Sequence, residues 1–275
     1  MRPRPFLLWI CALTSAPPTT PSVGQVFLVG AGPGDPELLT LKAARLLGEA
    51  EVVVYDQLVS DGVLALIAPG AQRIYAGKQA GRHALPQKEI NALLVALGLA
   101  GHRVVRLKGG DPLIFGRLGE ETEALDQAGI PWEIIPGITA ASGVATVLGI
   151  PLTHRDQAQT LIFATGHRHD NSINLDWEGL ARPDRTLAIY MGLGGLAEIC
   201  QGLMDHGLPP QTPAAMVERA TTPAQRQVLG TLADLPEAVR RAGLASPALL
   251  LVGEVVGGRV APTTELPPVA SDKTL

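Results

Sequence analysis

Gln25-Val26-Phe27-Leu28-Val29-Gly30-Ala31-Gly32-Pro33-Gly34-Asp35-Pro36 is the stretch whose reading decides the fold. An apolar run enters a glycine turn, and the turn enters a helix start. Asp35 has the short acceptor side chain favoured at an N-cap, and Pro36 suits the first helical position, where no amide hydrogen is needed. Leu38, Leu39, Leu41, Leu46 and Leu47 then give this helix an apolar face.

The alternation continues outward from there. Glu51 to Tyr55 reads as a strand ending at Asp56, and Gln72 to Ala76 as another ending near Lys78. Pro86 opens a helix to about Leu99. Arg103 to Leu107 is a fourth strand, running into Lys108-Gly109-Gly110-Asp111-Pro112. A helix from about Glu120 and a short strand Trp132 to Ile135 follow. Apolar strands alternating with helices predict a mostly parallel α/β sheet. Such sheets bind ligands beyond the carboxyl ends of their strands. The glycine turn, Asp56, Lys78 and Gly109-Gly110-Asp111 share that placement.

After Pro136-Gly137 the pattern restarts. Strands are expected at Thr160 to Ala164, Thr186 to Met191, Ala214 to Val217, Gln227 to Gly230 and Ala248 to Val252. Helices are expected at Ala140 to Leu148, Gly195 to His206 and Leu232 to Ala242. The fold class is therefore α/β, with two α/β domains (25–135 and 136–257), mixed, mostly parallel sheets, and an active-site cleft between them. Residues 1–24 read as a disordered extension, because the apolar part, Phe6 to Leu13, is short and prolines crowd both flanks. Residues 258–275, rich in Pro, Thr and Ser, read as a flexible tail.

Composition narrows the function. Apolar residues make up 46% and charged residues 17% of the chain, which is globular rather than disordered. No apolar run is long enough to span a bilayer, so no membrane partner is expected. A net charge of −4 argues against a nucleic-acid surface. An acidic ligand would need a local cluster of cations working against that charge. Cys11 and Cys200 form neither a metal spacing nor a disulfide framework, and read as free thiols in a reducing, cytoplasmic compartment.

The glycine turn suggests a dinucleotide loop, but the third glycine of that pattern is Asp35, a negative charge where phosphates would sit. Pro33 and Pro36 also lack the amide donors that a pyrophosphate needs. No G-x-x-x-x-G-K-[ST] motif is present. A ligand with adenosine and no phosphates fits better. S-adenosylmethionine is one: its sulfonium needs no metal, only a pocket that aligns methyl donor and acceptor, and glycines allow close backbone approach.

Longer motifs make the reading specific. Val29 through Pro36 with Leu38-Leu39-Thr40-Leu41-Lys42 resembles the opening signature of uroporphyrinogen-III C-methyltransferases of the tetrapyrrole methylase family. Val54-Tyr55-Asp56-Gln57-Leu58-Val59-Ser60 is similar to their second motif. Gly77-Lys78-Gln79-Ala80-Gly81, Pro86 to Asn91, Val105 to Pro112, Phe115-Gly116-Arg117 with Glu120-Glu121, Pro136 to Ala140 and Pro151 to Arg155 follow in family order. Ala164 to His167, Tyr190-Met191-Gly192 and Ala220 to Pro223 complete the series. The resemblance runs from about Gln25 to Val256. Two departures are Leu118, where a glycine is common, and Gln79, where an arginine is common.

The resemblance implies methyl transfer from S-adenosylmethionine to two pyrrole carbons (C2 and C7) of uroporphyrinogen III, giving precorrin-2 via precorrin-1, by a homodimer. It implies donor contacts at Pro33, Gly109, Gly110, Asp111, Ile114, Thr139, Ala140, Met191, Ala220 and Ala248, with Asp56 as proton acceptor and Lys78 as proton donor. The substrate's many carboxylates call for focused cations, and Arg117 and Arg155 suit that task because guanidinium grips carboxylates with paired bonds. Arg117 is also assigned to holding or deprotonating the reacting ring. Arg82, His83 and Arg106 read as solvated surface charges. His167-Arg168-His169-Asp170 reads as a polar loop, since its histidines lack the i, i+4 spacing of a helical metal pair, and no metal is called for. Three other readings stay open: a methylase of another corrinoid intermediate, a nicotinamide oxidoreductase, and a catalytically silent tetrapyrrole-binding protein.

Overall fold

The computed structural model describes residues 23–77, 85–166, 173 and 175–258. Among these, ten strands form two five-stranded sheets. The first contains β1 (Gln25–Gly30), β2 (Val52–Tyr55), β3 (Gln72–Tyr75), β4 (Arg103–Lys108) and β5 (Trp132–Ile135), in the order β3-β2-β4-β1-β5. Every pairing in it is parallel. β1 and β4 lie side by side in register, Gln25 opposite Arg103 and Gly30 opposite Lys108. Their following connections leave toward opposite edges, which makes the β1–β4 boundary the topological switch point, where a ligand crevice opens.

Strand alternation builds the two faces. Phe27 and Val29 join Val53, Val105 and Leu107 against Ala43, Leu46 and Leu47 of helix α1 (Leu41–Glu49). Val26 and Leu28 join Val52, Val54 and Val104 against Ile90, Leu93, Leu94 and Leu97 of α3 (Gln87–Leu99) and Leu125 of α4 (Leu118–Gln127). A short helix α2 (Asp61–Leu64) precedes β3. Helices thus cover both faces, as a parallel sheet requires.

The opening helix differs from expectation. Asp35 does cap, its side chain accepting from the Glu37 amide, but Pro36–Leu38 is only a 3₁₀ turn. Leu39 and Thr40 are extended, and Thr40 starts α1 afresh by accepting from the Ala43 amide at 3.2 Å. The second cap resets the helical phase, leaving Leu41 92% exposed rather than on the buried face.

The second sheet contains β6 (Thr160–Thr165), β7 (Arg185–Tyr190), β8 (Pro213–Glu218), β9 (Arg226–Thr231) and β10 (Ala248–Val252), ordered β6-β7-β10-β8-β9. Here only β6–β7 is parallel; β10 runs antiparallel to β7 and β8, and β9 to β8. A short turn joins β8 to β9 as a hairpin, and a hairpin imposes antiparallel pairing. Helix α5 (Ala140–Leu148) follows the first sheet in sequence, yet packs Ala141, Val144, Ala145 and Leu148 onto Ala188, Ala215, Val217, Leu249 and Leu251 of the second. The opposite face is covered by α7 (Leu196–Asp205) and α8 (Leu235–Ala242), with α6 (Trp177–Leu180) at its margin. A last turn, α9 (Glu254–Gly257), joins the α5 side. Cys200 is buried in α7 and free; burial pushes its thiol up to about 12.

Candidate active site

The ends of β1, β2, β4 and β5 interlock because small residues let backbones touch. Beyond β1, the Ala31 amide donates to the Lys108 carbonyl at 2.7 Å, and Gly32 and Gly110 exchange hydrogen bonds of 3.1 and 2.8 Å as an isolated antiparallel bridge. Both glycines have φ of 68°, a left-handed conformation that a side chain would strain. Gly30, Gly110 and Gly137 form a three-way contact: a Cβ on Gly137 would lie 2.3 Å from the Gly110 carbonyl oxygen. The β2 loop joins at Gly109, where a Cβ would meet that of Leu58 at 2.5 Å. Ser60 hydrogen-bonds the Gly34 carbonyl. The predicted residues Pro33, Gly109, Gly110, Asp111 and Asp56 therefore share one ridge of loops.

The second sheet meets this ridge directly. The Asp35 amide donates to Thr221 Oγ1 at 3.1 Å, and Gly34 leaves room for Thr222. Pro33 lies against Gly143 of α5, where a Cβ would come within 2.4 Å of the proline ring. Phe115, from the loop after β4, packs on Tyr190 with ring centroids 5.0 Å apart. Thr139 occupies the N-cap position of α5, and the Ala140 amide nitrogen follows it, 3.6 Å from where a Gly110 Cβ would stand. Met191 follows β7, Ala220 follows β8, and Ala248 begins β10 opposite Glu218, all at the same end of the second sheet. Among the described residues, the non-glycine residues with left-handed φ are Phe115, Arg117, Met191, Arg219 and Thr221. All five lie on loops at this junction, and such strain persists where surrounding structure enforces it at a working site.

Asp56 is held at both oxygens. Oδ1 accepts from the Leu58 amide at 3.0 Å, and Oδ2 lies 3.5 Å from Arg106 NH2. Behind it is a group of buried charges that sequence reasoning misjudged. Arg106 is not a solvated surface charge: it is 3% exposed, with Nε donating to Glu121 at 3.1 Å and NH1 to the Leu107 carbonyl at 3.1 Å. Lys108 donates to both Glu121 oxygens at 2.9 Å. Burial, and then the neighbouring Arg106, pull the Lys108 pKa below its ordinary value, while Glu121 opposes the shift. The signal was available: in a central strand covered on both faces, a charged residue has no route to water.

Asp111 spends Oδ1 on the Leu113 amide at 2.9 Å, and its carbonyl accepts from the Ile114 amide at 3.1 Å, so the loop carrying Ile114 is pinned. Arg117 precedes α4 and forks onto Glu120 at 2.7 and 2.8 Å on the exposed rim. Arg155 is not brought to this junction. It is exposed, on the turn before β6, and the nearby Gln159 amide bonds Asp184 at the start of β7. Met191 lies at the other end of that strand pair, about 20 Å away at the rise of an extended chain. Lys78, Arg82, His83 and the His167–Asp170 segment lie outside the described residues. Among the described residues, no group of three or more His, Cys, Asp or Glu side chains is arranged to hold a metal ion.

A family model described as tetrapyrrole (corrin/porphyrin) methylases matches residues 25–236. The siroheme synthase of Nitrosomonas eutropha is 56% identical over 236 residues, covering 86% of this chain and 50% of that protein. That of Methylobacillus flagellatus is 58% identical over 233 residues, covering 85% and 50%. The chain thus spans about half the length of these curated relatives. A crystal structure of uroporphyrin-III C-methyltransferase from Thermus thermophilus, complexed with S-adenosyl homocysteine, superposes with a TM-score of 0.74 at 45% identity, covering 86% of this chain and 100% of that one. A cobalt precorrin-4 methyltransferase structure gives 0.76 at 30% identity, covering 84% and 95%. With that family model matching residues 25–236, most of the described chain, the chain belongs to the tetrapyrrole methylase family.

Proposed function

We propose that this protein transfers methyl groups from S-adenosylmethionine to C2 and C7 of uroporphyrinogen III, giving precorrin-2 via precorrin-1 and releasing S-adenosylhomocysteine, for sirohaem or cobalamin biosynthesis. The observation that carries this is the meeting of the Gly32–Gly110 bridge, Pro33 and Thr139-Ala140 beside a doubly held Asp56, in a chain similar to a uroporphyrin-III C-methyltransferase over that enzyme's full length. Gly30, Gly110 and Gly137 pack backbone against backbone and so bring the loops that carry Pro33, Asp111 and Thr139 to one place, where main chain can approach the proposed phosphate-free adenosine ligand.

When bound, the donor supplies a methyl group on positively charged sulfur. As the new carbon–carbon bond forms, the sulfur keeps the electron pair of the bond that breaks, and the pyrrole ring becomes cationic. The methylated carbon already bears a side chain and has no hydrogen, so the cationic ring system must lose a proton from a neighbouring position, an adjacent bridging carbon or the ring N–H. Asp56 is the proposed group to stabilise that charge and accept the proton, a reading supported by the Leu58 amide and Arg106, which hold its two oxygens. Lys78 is the proposed proton donor. Arg117, on the strained loop with Phe115, is the cation proposed to grip a substrate carboxylate and hold the reacting ring; this requires it to exchange Glu120 for the ligand. Residues 25–135 and 136–257 are proposed as two domains, acting in a cytoplasmic homodimer that needs no metal.

A second reading, a methylase of another corrinoid intermediate, draws on the similarity to the cobalt precorrin-4 methyltransferase structure. One experiment separates them: incubation with S-adenosylmethionine and freshly generated uroporphyrinogen III, followed by mass. Addition of two methyl groups is the expected result. Donor binding without methylation would overturn the acceptor assignment in favour of the second reading.

A further inference from the structure

Tyr190 is the last residue of β7, and its ring is wedged between Phe115 of the first sheet's β4 loop and Phe163 of β6, with centroids 5.0 and 5.8 Å away. Its hydroxyl reaches the start of α5. Thr139 holds the N-cap position there, extended at φ −68° and ψ 153°, yet its side chain makes no capping bond. Instead, the Ala141 amide donates to Tyr190 Oη at 3.2 Å, and Thr139 Oγ1 lies 2.5 Å from the same oxygen. A capping oxygen ordinarily accepts from the second or third amide of the helix, and Ala141 is the second. The phenol therefore supplies the cap that Thr139 withholds, and supplies it from β7, a strand of the sheet on which α5 packs.

A count of protons gives this a consequence. Tyr190 and Thr139 carry one hydroxyl proton each. The Ala141 amide fills a lone pair of the phenol, and the bond between the two hydroxyls uses one proton. One hydroxyl proton is left over. Phenol is the stronger acid of the two, so it donates to Thr139, and Thr139 keeps its proton for a third group. Burial raises the Tyr190 pKa; the hydrogen bonds with Thr139 and the Ala141 amide oppose the shift and the Asp111 charge adds to it, and the net direction is upward, which keeps the phenol protonated. Thr139 stands on the wall shared with Ala140 and Gly110, where the methyl donor is proposed to lie.

We propose that Tyr190 is a positioning residue for the methyl donor: it caps α5, donates to Thr139, and so aims the Thr139 hydroxyl proton at an oxygen or nitrogen acceptor of the bound donor. This rests on reading the junction as a donor site.

The test titrates S-adenosylhomocysteine into the full-length protein and its Tyr190→Phe, Thr139→Val and Thr139→Ser variants, with donor and acceptor KM measured beside it. Tyr190→Phe keeps the ring packing and is expected to weaken binding about tenfold, the worth of one hydrogen bond, raising the donor KM and leaving the acceptor KM unchanged. Thr139→Val is expected to lose a similar factor, Thr139→Ser to bind within about twofold of wild type, and the double variant Tyr190→Phe/Thr139→Val to be little worse than either single one, since coupled groups are not additive. Wild-type affinity in Tyr190→Phe, or losses that multiply in the double variant, would overturn the inference while leaving the proposed function intact. If the wild-type protein itself failed to bind S-adenosylhomocysteine, the donor reading and this inference would fall together.

Discussion

Asp56 shows how one side chain is prepared by its surroundings. A carboxylate at the end of a parallel strand is free to rotate unless something holds it. Here the Leu58 amide fixes one oxygen and the Arg106 guanidinium the other. Arg106 is itself fixed by Glu121 and by the Leu107 carbonyl, so the second oxygen is referred to the sheet rather than to solvent. For a proposed proton acceptor, the charge matters more than the shape. Asp56→Asn preserves size and the turn, and removes the base. Turnover is expected to fall by about two orders of magnitude or more, with S-adenosylhomocysteine binding within about twofold of wild type. Single-turnover methylation and calorimetry check both; near-normal turnover would remove Asp56 from the proposed role.

At the scale of an element, β4 carries the heaviest electrostatic demand. Arg106 and Lys108 point into one face of a central strand and share Glu121, a fully buried carboxylate from α4. Breaking a buried charge group by removing one partner leaves the others uncompensated. Glu121→Gln is therefore expected to cost about 3–5 kcal/mol in urea unfolding, against roughly 0.5 kcal/mol or less for the exposed Glu123→Gln. The variant also removes the influences that oppose the lowered pKa of Lys108. A loss below about 1 kcal/mol would show that the group relaxes by shedding a proton or admitting water. This element also shows what was legible in the sequence. The strand and its Gly109-Gly110 ending followed from apolar runs and glycines. The identity of the face did not, because Glu121 lies on a separate helix and local pattern does not pair charges across elements. For the same reason Tyr190 passed as one residue of a motif, and Arg155 as a plausible cation. Position along a chain does not say which end of a sheet a turn occupies. The opening helix was misjudged locally, where Thr40 competes with Asp35 as a cap.

Across the whole molecule, the two sheets meet through contacts that glycine makes possible. Gly34 admits Thr222, and Gly143 admits Pro33, so the glycine turn of the first sheet seats on α5 and on the hairpin of the second. The Pro33 ring cannot flex away as a long side chain could, so a methyl at Gly143, 2.4 Å from its Cβ, must push the turn and α5 apart. Overpacking of that kind typically costs about 1–3 kcal/mol. Its functional cost should exceed its structural one, because Pro33, Thr139 and Ala140 all move relative to Gly110. Gly143→Ala is expected to weaken S-adenosylhomocysteine binding by about tenfold or more, the scale of a lost hydrogen bond, while the protein stays folded. Gly119→Ala is the matched control: it lies in the first turn of α4, a Cβ there meets nothing within 4 Å, and alanine there should raise stability by less than the ~1 kcal/mol of a helix interior. Calorimetric titration beside thermal melting reads both quantities. If Gly143→Ala bound the ligand as wild type does while melting lower, the contact between Pro33 and α5 would hold the sheets together without shaping the site between them.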